Sequence, residues 1–153
     1  MSIEQLRNEA RYAERLCQRT ARLYRRVQTC GTFLSIVGGS GTLAALFRDV
    51  PPWLPASGAL LLAVAGAALI AVRPGDKAAA NESDMKRYSA LLASSQGMTE
   101  EEFRRALEVA RQADAPEVEG LRNPSFNDVV QEIGATHAVV PLSKAERLIS
   151  VLA

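Results

Sequence analysis

Charge is missing from two long stretches of this 153-residue chain. No Asp, Glu, Lys or Arg occurs from Val27 to Phe47, and none from Val50 to Val72. A net charge of +1 and a mean hydropathy of −0.01 conceal this segregation. Histidine is scarce too, His137 being the single one. It has no cysteine or carboxylate close enough in sequence to suggest a metal site or a triad. No G-x-S-x-G occurs either, so no catalytic residue, metal ligand or cofactor is assigned. Cys17 and Cys30 are the only cysteines. They are too few for a disulfide scaffold, and both are expected to be reduced.

Lysine is absent before Lys77, and this decides the reading of "FLSIVGGSGTLAALF" (residues 33–47). "GSGTLA" matches the loose dinucleotide fingerprint G-x-G-x-x-A. That fingerprint requires an acid about 20 residues on to hold the ribose. The corresponding region here is "SGALLLAVAG", and no acid occurs between Asp49 and Asp76. A P-loop requires a lysine after its second glycine, and none is there. Both nucleotide readings fail on a specific missing residue.

Each charge-free block is about 20 residues long, which as a helix matches a hydrocarbon layer of about 30 Å. The expectation is an all-α integral membrane protein in which two transmembrane helices form a hairpin. The predicted segments are 1–29 (basic cytoplasmic helix), 30–47 (first span), 48–53 (short outer loop), 54–72 (second span) and 73–153 (helical cytoplasmic region). On the first span Gly31, Ser35, Gly38, Gly39 and Thr42 share a face. On the second, Ala59, Ala63, Ala67 and Ala71 repeat every four residues, with Gly66 beside them. Small faces let helix backbones approach closely where no hydrophobic drive operates, so these residues are the predicted packing sites within and between subunits. The first span, eroded by Gly, Ser and Thr, is the weaker of the two.

Pro51, Pro52 and Pro55 make the connection turn-like, and Trp53 stands at the mouth of a span, where an interfacial anchor belongs. Lys and Arg flank the hairpin on its terminal side, including Arg15, Arg19, Arg22, Arg25, Arg26 and Arg73, whereas the loop has Arg48 alone. By the positive-inside rule both termini are cytoplasmic. The competing soluble reading makes the two helices the buried core of a helical protein, which the remaining segments would then have to cover.

Ahead of the first span, Ser2 and Gln5 suit a capping box. Ile3, Leu6, Ala10, Ala13, Cys17, Thr20, Tyr24 and Val27 then follow heptad spacing. The same phase continues into Gly31, Leu34, Gly38 and Gly41, so one long helix is predicted. Arg7, Arg11, Arg15 and Arg19 form a stripe at i, i+4, continued by Arg22 and Arg26. Like charges so placed repel, so the stripe calls for anionic lipid headgroups, acids of another helix, or an anionic ligand. The absence of interleaved aromatics argues against nucleic acid.

After the spans, a helix with Met85, Tyr88 and Leu92 on one face should end at Gly97. A second starts from the Thr99–Glu102 capping box with Phe103, Leu107 and Ala110 as its apolar side. A third is expected to be capped by Asn123, to begin at Pro124 and to stop at Gly134. A last one, boxed by Ser143 and Glu146, carries Leu148, Ile149 and Leu152.

This order of parts resembles the SLATT domains of bacteria. The likeness is carried by "YAERLCQRTARLYRRVQTCGTFLSIVGG", by the end of the second span with "AVRPGDKAAANESDMKRYSALLASS", and by "NPSFNDVVQEIG". The resemblance implies an oligomeric, pore-forming or membrane-disrupting effector of bacterial conflict systems in the inner membrane. Its partners would be the bilayer, copies of itself and a sensor or second-messenger-producing protein. The alternatives are a non-lytic membrane interaction or scaffold protein and a soluble helical or nucleotide-binding domain.

Overall fold

The computed structural model describes residues 2–47 and 50–153 and contains no strand among them. Its helices are α1 (Ile3–Leu43), α2 (Trp53–Val72), α3 (Pro74–Ser94), α4 (Glu100–Gln112), α5 (Arg122–Glu132) and α6 (Lys144–Leu152). Single 3-10 turns follow or precede them at Ala44–Leu46, Ser95–Gly97, Glu119–Leu121 and Thr136–Ala138. Arg48 and Asp49, expected in the loop between the spans, lie outside the described residues. The chain forms two compact units, Tyr24–Asp76 and Met1–Leu23 with Lys77–Ala153. The division falls within α1 and α3: α1 runs unbroken through the boundary expected at 29/30, whereas the helix does break at the boundary expected at 72/73, between the end of α2 and the start of α3.

The larger unit is built on the N-terminal half of α1. Ser2 and Gln5 cap it reciprocally: the Ser2 N–H donates to Gln5 Oε1 at 2.8 Å and the Gln5 N–H to Ser2 Oγ at 3.4 Å. Its heptad residues Leu6, Ala10 and Cys17 are buried against Tyr88 of α3 and Phe103, Leu107 and Ala110 of α4. The pair α1–α3 is antiparallel, since Arg7 near the start of α1 donates to the carbonyl of Ser95, just past the end of α3, at 3.1 Å. A second side of α1, Leu16 with Tyr12 and Leu23, packs on Leu121, Val118, Ile149 and Ala153. A carboxylate cluster ties the α4–α5 connection to α3. Asp84 accepts from the Ala115 N–H at 2.7 Å, and Asp114 accepts from the Tyr88 hydroxyl at 2.5 Å and pairs with Arg87 at 2.9 Å.

The Thr99–Glu102 and Ser143–Glu146 boxes are both formed, each satisfying N–H groups that the first helical turn leaves without internal partners. The start of α5 differs from the sequence expectation. Asn123 is not its cap: α5 begins at Arg122, continuing directly from the 3-10 turn at Glu119–Leu121. Pro124 fits in this first turn, where its missing N–H costs no helical hydrogen bond. The Asn123 amide instead donates to Glu146 Oε1 of α6 at 2.8 Å. Gly134, with φ +76, turns the chain out of the helix. Asn127 then holds the following loop by exchanging two hydrogen bonds with the backbone of Val140, at 2.7 and 2.8 Å.

In the smaller unit, α2 starts at Trp53 behind Pro52 and ends at Val72. Arg73 takes left-handed backbone angles (φ 48, ψ 54) and donates its N–H to the Leu69 carbonyl at 3.0 Å. That turn separates α2 from α3, whose first residue is Pro74.

Candidate functional site

Within Tyr24–Asp76 the contact between α1 and α2 is a backbone-to-backbone approach. A Cβ built on Gly38 would stand 2.6 Å from the Leu62 nitrogen and 2.7 Å from the Gly58 carbonyl oxygen. One built on Gly58 would stand 2.7 Å from the Gly38 oxygen, the Gly41 carbonyl carbon and the Thr42 nitrogen. No side chain fits at either position without moving a helix. Towards the other end, a Cβ on Gly31 would meet the Leu69 side chain at 2.6 Å. Rising numbers on α1 thus meet falling numbers on α2, as in an antiparallel hairpin.

The predicted packing residues divide accordingly. Gly31 and Gly38 lie in the contact, and the backbone of Thr42 borders Gly58. Ser35 is half-buried. A Cβ on Gly39 or on Gly66 would meet nothing within 4 Å. Ala59, Ala63, Ala67 and Ala71 are exposed, and the face of α2 turned to α1 is Gly58, Leu62, Ala65 and Leu69 instead. Spacing explains the difference. A strict repeat of four advances about 40° around the helix at every step, whereas alternating fours and threes hold one face. Gly58, Leu62, Ala65 and Leu69 follow that second pattern, and Gly58 was the residue whose role the sequence reading passed over.

Three hydroxyl groups in the Tyr24–Asp76 part of α1 bond back to the carbonyl one turn earlier. Ser35 donates to the Gly31 carbonyl at 2.9 Å, Ser40 to Ile36 at 2.9 Å and Thr42 to Gly38 at 3.0 Å. Such back-bonding suits a low-dielectric medium, in which an unmet polar group costs several kcal/mol. The outward residues of both helices are apolar and exposed, among them Phe33, Ile36, Phe47, Leu60, Val64 and Ile70, with Trp53 at the head of α2. Arg73 is exposed at the other end of α2.

The basic stripe of the larger unit finds acids on another helix. Arg19 grips Asp128 of α5 with two nitrogens, at 2.7 and 2.8 Å, and donates to the Ser150 carbonyl of α6 at 3.2 Å. Arg15 reaches Glu132, one turn further along α5, at 3.0 Å. The planar guanidinium matches the carboxylate in this forked geometry, which fixes orientation as well as charge. Arg22 is exposed, and Arg25 and Arg26 are exposed on the part of α1 that belongs to the smaller unit.

A cleft lined by Tyr12, Cys17, Tyr88, Arg111, Asp114 and Glu117 opens beside this core. Burial first, then the carboxylates of Asp114, Asp84 and Glu117, push the Cys17 thiol up to about 12. The thiol therefore stays protonated at neutral pH and is a poor nucleophile. Burial and the hydrogen bond to Asp114 likewise hold Tyr88 in its neutral form. His137 is exposed on the 3-10 turn Thr136–Ala138. No protein-family model matches this chain, and no curated protein or solved structure is detectably similar to it.

Proposed function

We propose that α1 and α2 cross a membrane as a hairpin and that the protein acts there as an oligomer. The observation that carries this reading is exposure. Each helix has an 18-residue window apolar enough to span a bilayer, with mean hydropathy 1.3 in the first and 2.1 in the second. Only 6% and 11% of those windows are buried inside the chain. The core helix of a water-soluble protein would be mostly covered, so a soluble fold leaves these side chains without an environment, whereas a bilayer supplies one. The arginines around residues 15–26 and Arg73 then favour an orientation with both termini in the cytoplasm.

Two small-residue faces divide the labour in this proposal. Gly38 and Gly58 close the hairpin, and the outward Ala59, Ala63, Ala67, Ala71 stripe with Gly39 meets neighbouring subunits. The resemblance of layout to SLATT domains supports a membrane-disrupting effector of the bacterial inner membrane, triggered by a sensor or second-messenger partner. Fractionation after expression should place the chain in membranes, and a potential-sensitive dye should report depolarisation. Ala63→Leu should leave the chain in the membrane fraction and remove the depolarisation. If Ala63→Leu depolarises cells as well as the parent does, the subunit face is misassigned. A specific observation favours the second reading, an interaction or scaffold protein. A mainly apolar groove of about 360 Å³ lies between Tyr12, Phe126, Val129, Val130 and Ile133. That reading predicts a recovered partner and no change in potential.

A further inference from the structure

The cleft beside the core of the larger unit is walled by residues that the fold holds in place. Tyr12 and Cys17 come from α1, Tyr88 from α3, Arg111 from the last turn of α4, and Asp114 and Glu117 from the α4–α5 connection. All of them belong to the larger unit. The volume, about 360 Å³, lies within the range of small-molecule pockets. Three hydrogen bonds fix the connecting wall. The Ala115 N–H donates to Asp84 at 2.7 Å, the Tyr88 hydroxyl to Asp114 at 2.5 Å, and Arg122 Nε to Glu117 at 2.7 Å.

The charges of this wall do not cancel. A single nitrogen of Arg87, Nη2, lies 2.9 Å from Asp84 Oδ1 and 2.9 Å from Asp114 Oδ1. Two carboxylates therefore share one guanidinium, which leaves a surplus of negative charge. The other pairs balance, Arg111 with Glu9 at 2.6 Å and Arg122 with Glu117. Water screens the surplus poorly, since the Asp84 side chain is only 6% exposed. Its effect reaches the lining. Burial raises the Cys17 thiol most, and Asp114, Asp84 and Glu117 raise it further against the opposing effect of Arg87. Tyr12 is raised by burial first and then by Glu117, with Arg122 opposing.

Two lining groups have hydrogen-bonding capacity that the fold does not use. Among the described residues neither the Cys17 thiol, 8% exposed, nor the Tyr12 hydroxyl makes a hydrogen bond. The Tyr88 ring already has Arg87 over it at 5.9 Å, which leaves Tyr12 to offer an aromatic face to a further cation. A bare metal ion is a poor match. Among the described residues no three His, Cys, Asp or Glu side chains are grouped to hold one. Leu16, Ala13 and Pro116 complete the lining with apolar surface, which suits a cation that carries hydrocarbon. An anion would meet the surplus carboxylate. We propose that this cleft binds a small organic ammonium ion, with its nitrogen on Asp114 and its hydrocarbon part against Tyr12 and Leu16. The proposal does not depend on α1 and α2 crossing a membrane. A bound ammonium ion ties α1 to the α4–α5 connection, so the larger unit gains stability as its concentration rises.

Calorimetric titration of the full chain in detergent tests this with three probes of one shape: phenethylammonium, neutral phenethyl alcohol and anionic hydrocinnamate. At neutral pH phenethylammonium should bind in the millimolar range or tighter, and the other two about tenfold more weakly or worse. This comparison uses the parent chain and so stands even where a variant misfolds. Asp114→Asn should weaken phenethylammonium about tenfold. Glu117→Gln, on the partly exposed rim, should weaken it several-fold and leave the alcohol unchanged, with circular dichroism checking the fold. Phe126→Ala, in the separate groove with Val129 and Ile133, should change neither. Equal affinity for the three probes, tighter binding of hydrocinnamate, or no binding of phenethylammonium would overturn the proposal. Loss of phenethylammonium binding in Phe126→Ala but not in Glu117→Gln would put the site in the other groove and overturn it as well.

Discussion

In Tyr24–Asp76 two helices meet through glycine, with almost nothing but backbone at the closest point. In the larger unit helices meet through side chains, with Tyr88, Phe103 and Leu107 filling the space between α1, α3 and α4. On the proposed reading of α1 and α2 as membrane spans, the difference follows from what would surround each pair. Where water is the solvent, removing large apolar side chains from it supplies the drive, about 25 cal/mol per Å² buried. Where lipid is the solvent that drive vanishes, and close approach of backbones is what dispersion and weak polar contacts can reward. On that reading the same helix α1 would obey both rules along its length. Its seam residues are Leu6, Ala10 and Cys17 in one unit and Gly31, Gly38 and Gly41 in the other.

The largest expected effect breaks the glycine contact. Gly58→Leu would force four carbons into a space in which even a Cβ stands 2.7 Å from three backbone atoms of α1, so the hairpin must open. Spin labels at Phe33→Cys and Ile70→Cys, both exposed positions, should report a longer and broader distance distribution. Gly39→Leu, facing open space, should leave the distribution unchanged. Parent-like distances in Gly58→Leu would sink the close-contact account.

The next effect addresses the other unit alone. Phe103 is fully buried in the cluster with Leu6, Tyr88 and Leu107, and Phe103→Ala should destabilise that unit by about 3–5 kcal/mol. Chemical denaturation in detergent should show the loss, while the Phe33–Ile70 label distance stays at its parent value. A coupled collapse of both would mean that the two packing modes are not independent.

Alkali should separate the units as well. The Cys17 thiol titrates near 9.0 when free and is raised to about 12 in the fold. Between those values the unfolded chain has lost a proton that the folded chain retains, so stability falls as pH rises. The loss over the whole window is on the order of a few kcal/mol. Cys17→Ala should remove the fall between pH 9 and 10 and lessen it above pH 10, where the raised Tyr88 hydroxyl adds its own loss. An unchanged slope would assign the alkaline loss to other groups.

Much of this contrast was legible in local spacing. The charge-free blocks, the unbroken phase of α1, the capping boxes and the Phe103, Leu107, Ala110 face all depend on neighbours within one or two helical turns. What was not legible depends on residues far away in sequence. Arg19 finds Asp128 and Arg15 finds Glu132 across 109 and 117 positions. Asn123 suits a helix cap by residue type, but its amide serves α6. The alanine stripe on α2 is conspicuous by composition, yet α1 meets Gly58, because a face is held by alternating threes and fours rather than by small residues as such.

The smallest effect expected is at the Thr99 box, on the water-exposed rim of the larger unit. Thr99 Oγ1 accepts from the Glu102 N–H, and Glu102 Oε2 accepts from the Thr99 N–H at 2.8 Å. Thr99→Ala should cost about 1 kcal/mol, the usual loss for an N-cap. The backbone hydrogen bond from Thr99, and then the hydroxyl, lower the Glu102 carboxyl below its ordinary 4.5. A lowered carboxyl contributes stability that is fully present above that value and is lost as pH falls through the folded titration point. Glu102→Gln should therefore flatten the acid limb of the stability curve by lowering the neutral plateau towards the acid value, leaving stability at the acid end nearly unchanged. The alkaline limb, to which Cys17 and Tyr88 contribute, should not respond, since those groups and the box titrate at opposite ends of the scale. A change in both limbs would show that the rim and the core of this unit are coupled.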